Sequence, residues 1–299
     1  MKKALSCLLL LALCCAFSFA CAESETTVRF KRFETAVDAE EIDLGKVGVA
    51  ADEYEAFYDF LRRLPNLKRV DMYKTKIRRN RIEELAELFP DIEFGWTMMV
   101  GDHEVRTDIS AFSTAHSDAS RRHTNEDFSV LKYCKNLQAL DIGHNAVTDL
   151  SFLQDLPNLK VLIVVDNQFQ DITPIASLSQ LEYLEIFFND VRDISCLPAL
   201  TRLMDLNICF NRITDIRPLH QMTWLKRLWV SQYNSHNPSI KPDPAEVEAL
   251  RAALPDTQVD STAKSSIGNH WRDHSHYKTL KKMFKTQSYL PFDDSPVSP

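Results

Sequence analysis

The stretch LEYLEIFFNDVRDISCLPALTR, residues 181–202, decides the fold, because its pattern recurs at a fixed interval through the middle of the chain. Leucines and asparagines repeat every 22 residues, at Leu137, Leu159, Leu181, Leu203 and Leu225 and at Asn145, Asn167, Asn189 and Asn211. Self-similarity at such a short period is typical of a solenoid of stacked units rather than a globule around one closed core. The question of function therefore becomes which exposed face binds a partner.

Each unit follows the pattern L-x-x-L-x-L-x-x-N-x-V/I-x-D-I/L-x-x-L/I, which resembles the bacterial leucine-rich repeat of the internalin type. The resemblance implies an α/β fold, namely a leucine-rich repeat solenoid with a curved parallel β-sheet, helical N-terminal capping units and a C-terminal cap. It also implies a secreted bacterial protein that serves as a protein-binding scaffold. No particular chemistry comes with it.

The spacing also predicts how each unit is built. Residues such as Leu140 and Ile142 alternate with outward-facing neighbours, so parallel strands stacked at about 4.8 Å bury a continuous core. The four repeated asparagines form a predicted ladder, buried where the chain turns, with amides that satisfy backbone groups of neighbouring turns. The short second half of each unit, interrupted by Pro174 and Pro218, predicts extended or 3₁₀ turns on the convex side.

The N-terminus has the pattern of a secretory signal. Lys2 and Lys3 precede an apolar run that ends at Ala20-Cys21-Ala22, and we expect cleavage after Ala22, with lipidation of Cys21 as the alternative. No later stretch is apolar enough to span a membrane, so the expected location is extracellular, either free or associated with the cell surface. Without residues 1–22 the chain holds 33 basic and 42 acidic residues, a net charge of −9 (from 35 − 2 and 42), which argues against nucleic acid as a partner.

We divide the chain into five predicted parts by composition and periodicity. Helices over 54–64 and 81–89, each followed by a proline, mark the two longer capping repeats, and a hairpin is expected at 94–107 with a loop over 108–126. A helix starting at Asp243 and a docked helix carrying Tyr277, Leu280, Met283 and Phe284 are expected near the C-terminus. The parts are a signal peptide (1–22), an N-terminal capping region (23–93), a hairpin and loop (94–126), the 22-residue repeats (127–233), and a C-terminal cap helix and tail (234–299).

The outward positions of the repeat strands form columns on the concave face and are the predicted ligand-binding surface. Clustered aromatic side chains on a rigid sheet are typical of an interface. The alternative is that the tail covers this patch, or that Phe188 and Phe210 fold over the strand ends. The predicted binding residues are Asp141, Ile163, Tyr183, Glu185, Phe187, Asp205, Asn207, Arg227 and Trp229.

Other constellations have simpler explanations. Asp141, Glu185 and Asp205 could form an acid–base set, but on an open sheet they are better explained as solvated surface. The group at His270, His274 and His276 lacks a carboxylate or cysteine that would complete a typical metal site. Nine basic residues between Arg62 and Arg81 face one acid, Asp71, and either bind an anionic wall polymer or form the solvated side of the caps.

The sequence therefore predicts a non-enzymatic secreted recognition protein that binds an unknown protein, peptide or glycan through the concave face. We expect no catalytic residues, no metal and no cofactor. The alternatives are a cell-surface-associated structural protein that binds anionic wall polymer and a carboxylate-dependent hydrolase. The oligomeric state is left open.

Overall fold

The computed structural model describes residues 26–76, 79–114, 122–232, 242–264 and 268–293. The predicted signal peptide and Tyr233 lie outside these residues. The helices are α1 (Tyr54–Arg62), α2 (Arg79–Leu88), α3 (Asn125–Phe128), α4 (Pro244–Ala253) and α5 (Ser275–Thr286). The strands are β1 (Thr27–Phe30), β2 (Phe33–Ala36), β3 (Glu41–Asp43), β4 (Arg69–Lys76), β5 (Glu93–Val100), β6 (His103–Arg106), β7 (Ala111–Ser113), β8 (Ala139–Asp141), β9 (Val161–Ile163), β10 (Tyr183–Glu185), β11 (Asp205–Asn207), β12 (Arg227–Trp229) and β13 (Gln258–Asp260).

The repeats form a parallel sheet, and this confirms the predicted fold class. Within the described residues its order is β13-β12-β11-β10-β9-β8-β7. The register advances by one repeat per strand, so that Leu140, Leu162, Leu184 and Leu206 lie side by side and fully buried. The sheet begins earlier than the sequence predicts, because β7 lies inside the stretch expected to be a loop (108–126).

The N-terminal region forms a separate sheet of order β3-β4-β5-β6 that precedes the repeats. Strands β3 to β5 are parallel, and helices α1 and α2 connect them, as in the two longer repeats that the sequence predicts. The predicted hairpin is the antiparallel pair β5–β6. Since β5 also pairs with β4, the hairpin extends this sheet.

Buried asparagines join neighbouring repeats. The amide of Asn189 donates to the carbonyls of Val164 and Ile186, both at 3.0 Å, and its Oδ1 accepts from the backbone N–H of Asn167 at 3.1 Å. Asn167 and Asn211 make equivalent contacts, and Asn145 donates to the Ile142 carbonyl and to the Thr114 hydroxyl. Because each amide satisfies backbone groups that the turn would otherwise leave unpaired, polar residues belong in this otherwise apolar position.

Gln232 continues the ladder after Asn211. It is buried, and its Oε1 accepts from the backbone N–H of Asn211 at 3.0 Å. Its Nε2 donates to the carbonyl of Ile208 at 3.0 Å. The longer side chain reaches the position that an asparagine fills one residue later in the other repeats.

The convex side carries 3₁₀ turns, as the spacing predicts. They cover Ser129–Tyr133, Ser151–Asp155, Thr173–Ser177, Leu197–Ala199 and Arg217–Gln221. An aspartate side chain accepts from the backbone two residues ahead at the start of the last four, as Asp171 does from Thr173 at 2.8 Å. No helix among the described residues is long and apolar enough to cross a membrane.

Candidate functional site

The outward-facing side of strands β7 to β12 forms a trough, and this trough is where the sequence places the ligand-binding residues. The structure does bring them together on adjacent strands, since Asp205 lies between Tyr183 and Arg227, and Asn207 lies between Glu185 and Trp229. The residues of the predicted columns therefore do lie next to one another on adjacent strands.

The expectation that these side chains face solvent is wrong. Glu185, Asp205 and Asn207 have no exposed surface, and Asp141 is partly buried. The other five predicted residues are also buried: Ile163, Tyr183, Phe187, Arg227 and Trp229. Tyr183, Glu185, Asp205, Arg227 and Trp229 contact residues 268–293, which we call the C-terminal segment. This segment contains the predicted docked helix, observed as α5.

Trp271 is the centre of the contact between segment and trough. Its side chain is completely buried, its Nε1 donates to Oε1 of Glu185 at 2.9 Å, and its carbonyl accepts from Arg227 at 3.1 Å. Its ring lies 5.0 Å from that of Trp229 and 5.7 Å from that of Tyr183. A large aromatic side chain held on all sides is the typical anchor of a peptide interface.

A buried charge cluster lies beside this anchor. The guanidinium of Arg227 forms a two-pronged ion pair with Asp205 at 2.9 and 2.7 Å, and Nδ1 of His276 lies 2.5 Å from the same carboxylate. Burial acts to raise the pKa of Asp205, but the hydrogen bonds from His276 and Arg227 outweigh it and hold the pKa below the ordinary value. Asp205 is therefore a carboxylate stabilised by one residue of the trough and one of the segment.

Glu185 has the opposite electrostatic environment. Burial raises its pKa, although Arg272, Tyr183 and Trp271 act against the shift. The hydroxyl of Tyr183 donates to its carboxylate, while Arg272 remains 3.9 Å away. The neutral carboxyl is thus favoured more at Glu185 than at Asp205, and the two acids do not form a matched pair on an accessible surface.

The far end of the segment is fixed at the first strand of the sheet. The carbonyl of Gln287 accepts from the backbone N–H groups of Ser110 and Ala111, both at 3.3 Å. The backbone N–H of Tyr289 donates to the Ser110 hydroxyl at 2.8 Å, and its phenol donates to Glu182 at 3.0 Å. Between the two ends, Leu280 and Met283 are buried in the trough. The segment therefore crosses the sheet from β12 to β7.

A rim of left-handed residues borders the trough where each strand ends. Phe188 and Phe210 have φ of 55° and 54°, and their equivalents His144 and Asp166 have the same conformation. The two phenyl rings stack 4.9 Å apart, and Phe188 is 50% exposed. Side chains at such positions are uncommon and cost conformational energy. Phe188 thus faces solvent, whereas Tyr183, Phe187 and Trp229, which were expected to be exposed, do not.

Comparison with known proteins agrees with the repeat geometry. Residues 135–177 match a family model described as leucine-rich repeats, in two copies. Residues 135–177 are leucine-rich repeats. No curated protein matches the chain in sequence.

Solved structures similar to this chain include two internalins of Listeria monocytogenes. Internalin C2 is 21% identical, with 77% of this chain and 76% of that chain covered and a TM-score of 0.32. A second internalin is 20% identical, covering 70% and 66%, with a TM-score of 0.36. A leucine-rich repeat protein of Leptospira interrogans is 19% identical, covering 67% of this chain and 50% of its own, with a TM-score of 0.39.

Part of the basic stripe, residues 62–81, forms ion pairs, and Lys68 and Arg69 pair with acids from other strands or loops. Lys68 contacts Glu40 at 2.6 Å, and Arg69 contacts both Asp71 and Glu93, at 2.9 and 2.6 Å. Pairs of Arg62 with Asp59 and of Arg81 with Glu84 also form. Acids remote in sequence therefore reduce the positive field that the local sequence indicates.

Sequence reasoning missed the segment residues that complete the leucine-rich repeat trough. Trp271 was not singled out, and His276 was considered as a metal ligand. The available signal was on the sheet itself, where Ala139, Val161 and Ile163 occupy outward positions. Apolar side chains on a face expected to meet water indicate that something covers it.

Proposed function

We propose that this chain is a non-enzymatic, exported recognition protein whose trough receives a helical peptide segment of a partner protein. In this proposal the C-terminal segment is the resident occupant and leaves when the partner binds. The observation that supports it most is the Trp271 anchor, which is buried among side chains of separate strands. Export is supported by the leader-like pattern at residues 1–22.

The chemistry of the trough suits a peptide rather than a glycan. An aromatic wall formed by Tyr183 and Trp229 stands beside the Asp205–Arg227 pair, and its occupant is an amphipathic helix with a tryptophan in the preceding turn. Grooves that bind an amphipathic helix combine apolar anchors with a few fixed polar contacts. A competing partner helix would supply an aromatic anchor near Glu185 and a hydrogen-bond donor near Asp205.

The rim offers such a partner a first contact while the trough is still occupied. Exposed Phe188 stacks on partly buried Phe210 and lies next to Phe187, whose ring is 6.3 Å from that of Phe188. Phe187 itself is buried in the trough. A partner bound at the rim would therefore lie beside the segment that it must replace.

Exchange of the segment tests the proposal. A specific protease site replaces residues 265–267 in the full chain, and the cut protein is mixed with a labelled synthetic peptide of residues 268–293. We expect the peptide to replace the cut segment at a 1:1 ratio, measured by fluorescence anisotropy. A peptide with Trp271→Ala should bind at least tenfold more weakly, since the anchor is lost.

The matched control peptide carries His270→Ala, because the His270 side chain is 85% exposed and pairs with Asp273 within the segment. It should exchange like the unchanged peptide. If the cut segment never exchanges, or if the Trp271→Ala peptide binds equally well, the trough is a permanent internal contact and the proposal fails.

The two other functions considered from the sequence have less support. Binding of an anionic wall polymer would need the basic stripe to be free, whereas Lys68 and Arg69 contact acids. Hydrolysis would need accessible carboxylates, whereas Glu185 and Asp205 are buried beneath the segment.

A further inference from the structure

Two histidines and an aspartate converge where the β5–β6 hairpin meets the first repeat, away from the trough. Oδ1 of Asp102 lies 3.4 Å from Nε2 of His103 and 3.0 Å from Nε2 of His123. One ligand atom from each residue lies within 4.8 Å of the other two. In a tetrahedral zinc site, ligand atoms at normal bond lengths are about 3.3 Å apart. The spacing therefore fits three ligands of one metal ion.

The two imidazoles provide an independent indication of a ligand. The Nε2 atoms of both His103 and His123 are buried without a hydrogen-bond partner, and His123 is only 6% exposed. His123 Nε2 is near the Asp102 oxygen, but the two are not aligned as donor and acceptor. Buried polar atoms in folded proteins are nearly always satisfied, so orphaned nitrogens that face one carboxylate require an explanation. A metal ion would satisfy both.

The fold holds the His123 ring in place before any ligand arrives. Its backbone N–H donates to Oδ1 of Asn145 at 2.9 Å, and its carbonyl accepts from Ala146 at 2.8 Å, which ties it to the first ladder asparagine. Its ring packs against Gly101, where a Cβ atom would lie 2.2 Å from Nδ1 of His123. Gly101 also has φ of +59°, which L side chains rarely adopt. Both the contact with His123 and the backbone conformation therefore favour glycine at this position.

A second group of similar composition serves as a contrast. Asp205, His274 and His276 also converge, but Arg227 lies 2.7 Å from the carboxylate of Asp205. A metal ion there would be placed next to a fixed positive charge. At His123, by contrast, the carboxylate of Asp127 lies 4.0 Å from Nδ1. Asp127 thus lies beside Nδ1, the ring nitrogen that would not bind the metal. A carboxylate in that position commonly orients a metal-binding histidine.

We propose that Asp102, His103 and His123 bind a divalent transition-metal ion of the zinc class. Two imidazoles and a carboxylate are ligands that zinc accepts, and a fourth position would be open to water because Asp102 and His103 are partly exposed. The ion would connect the hairpin of the N-terminal sheet to the first leucine-rich repeat. Its role in this proposal is structural.

Zinc titration of the metal-free chain from residue 23, without an affinity tag, tests the site. Isothermal calorimetry should give one zinc ion per chain, and zinc should raise the melting temperature. His103→Ala and Asp102→Asn, which change partly exposed side chains, should each weaken binding at least tenfold. Cobalt in place of zinc should give the visible absorption bands of four-coordinate cobalt.

His144→Ala is the matched control, because His144 is 68% exposed and contacts Asp166 outside the proposed site. It should bind zinc like the unchanged chain. Circular dichroism of the metal-free variants shows whether each is folded, so that weak binding is not mistaken for unfolding. Absence of stoichiometric binding by the unchanged chain, or undiminished binding by both folded variants, would overturn the proposal.

Discussion

Single polar side chains fix the geometry of this solenoid at positions that a purely apolar core could not specify. Each ladder asparagine is buried and joins backbone groups of two or more turns, as Asn189 does for Val164, Ile186 and Asn167. Removing one leaves several peptide groups unpaired in a region that water does not reach. Their effect on stability should therefore exceed that of an exposed hydrogen bond.

We predict that Asn189→Ala destabilises the chain by about 1–3 kcal/mol, because backbone groups lose their partners. Asn158→Ala is the control, since Asn158 is exposed and donates to a single carbonyl, that of Lys135, at 3.0 Å. Urea unfolding followed by circular dichroism measures both. Equal effects of the two substitutions would mean that the ladder contributes no more than surface asparagines do.

The Asp205 carboxylate should make part of the stability of the chain depend on pH. Its pKa is lower in the folded chain than the ordinary value of 3.8, so its contribution is present above that value and is lost as pH falls through the folded pKa. Asp205→Asn should cost about 3–5 kcal/mol at pH 7 by leaving Arg227 buried without its charge partner. The variant should also lose less of its remaining stability on acidification, measured by urea midpoints from pH 7 to 3.

Glu185→Gln should act with the opposite sign. The raised pKa of Glu185 means that the folded chain binds its proton more tightly than the unfolded chain, so this group lowers stability as pH rises above its ordinary value. Glutamine keeps an acceptor for Trp271 without an ionisable group. The variant should be at least as stable as the unchanged chain at pH 7, and a marked loss would contradict the assigned protonation behaviour.

At the scale of elements, a short turn and one helix determine whether the trough is open. The turn Trp271–Asp273 supplies the anchor, and α5 supplies His276, Leu280 and Met283. Helix α5 spans about 18 Å at 1.5 Å per residue, which is comparable to the width of the sheet it crosses. The helix is therefore held by contacts with the trough more than by its own propensity.

Trp271→Ala should release this element. Loss of a fully buried tryptophan costs about 3–5 kcal/mol, and it also removes the donor to Glu185. We expect amide hydrogen exchange in α5 to accelerate at least a hundredfold while amides of β8 and β9 stay protected. His270→Ala should leave exchange unchanged. Uniform acceleration across the whole chain would mean that the segment is part of the central folding unit.

The local elements followed from the sequence where the period was clear. The repeat strands, the 3₁₀ turns, the β5–β6 hairpin and a docked helix around Leu280 and Met283 were all predicted. The β1–β2 hairpin and β7 were missed because they are short and carry no repeat signal. Covering of the trough by the tail was one of the alternatives from the sequence, but the contact of Trp271 with Glu185 could not be derived, since it joins residues 86 apart and leaves no periodic pattern. The assignment of ligand binding to the trough remains a prediction.

At the scale of the whole molecule, the C-terminal segment adds long-range contacts to an array that otherwise connects neighbours. Repeat arrays have a stability that is roughly a sum over units and adjacent interfaces. Here Trp229 at one end contacts Gly268, while Ser110 at the other contacts Tyr289. Such a connection should make unfolding of the repeats more cooperative.

Deletion of residues 268–299 should therefore lower both the midpoint and the slope of urea unfolding. The slope should fall because less apolar surface is buried, and because terminal repeats can then unfold before the others. His270→Ala is the control, because the His270 side chain is 85% exposed, and it should change neither value. An unaltered slope after the longer deletion would show that the repeats cooperate without the segment.

The segment crossing has a consequence for how this protein can evolve. A solenoid tolerates gain or loss of a whole 22-residue unit, because each new strand simply joins the stack and widens it by about 4.8 Å. Here, however, the C-terminal segment contacts both Trp229 and Ser110, and its length is fixed. A duplicated unit between these two residues would move one of the contacts out of the reach of the segment. The length of the C-terminal segment thus limits the number of repeats. A lineage that changes the number of repeats would also have to change the length of the segment.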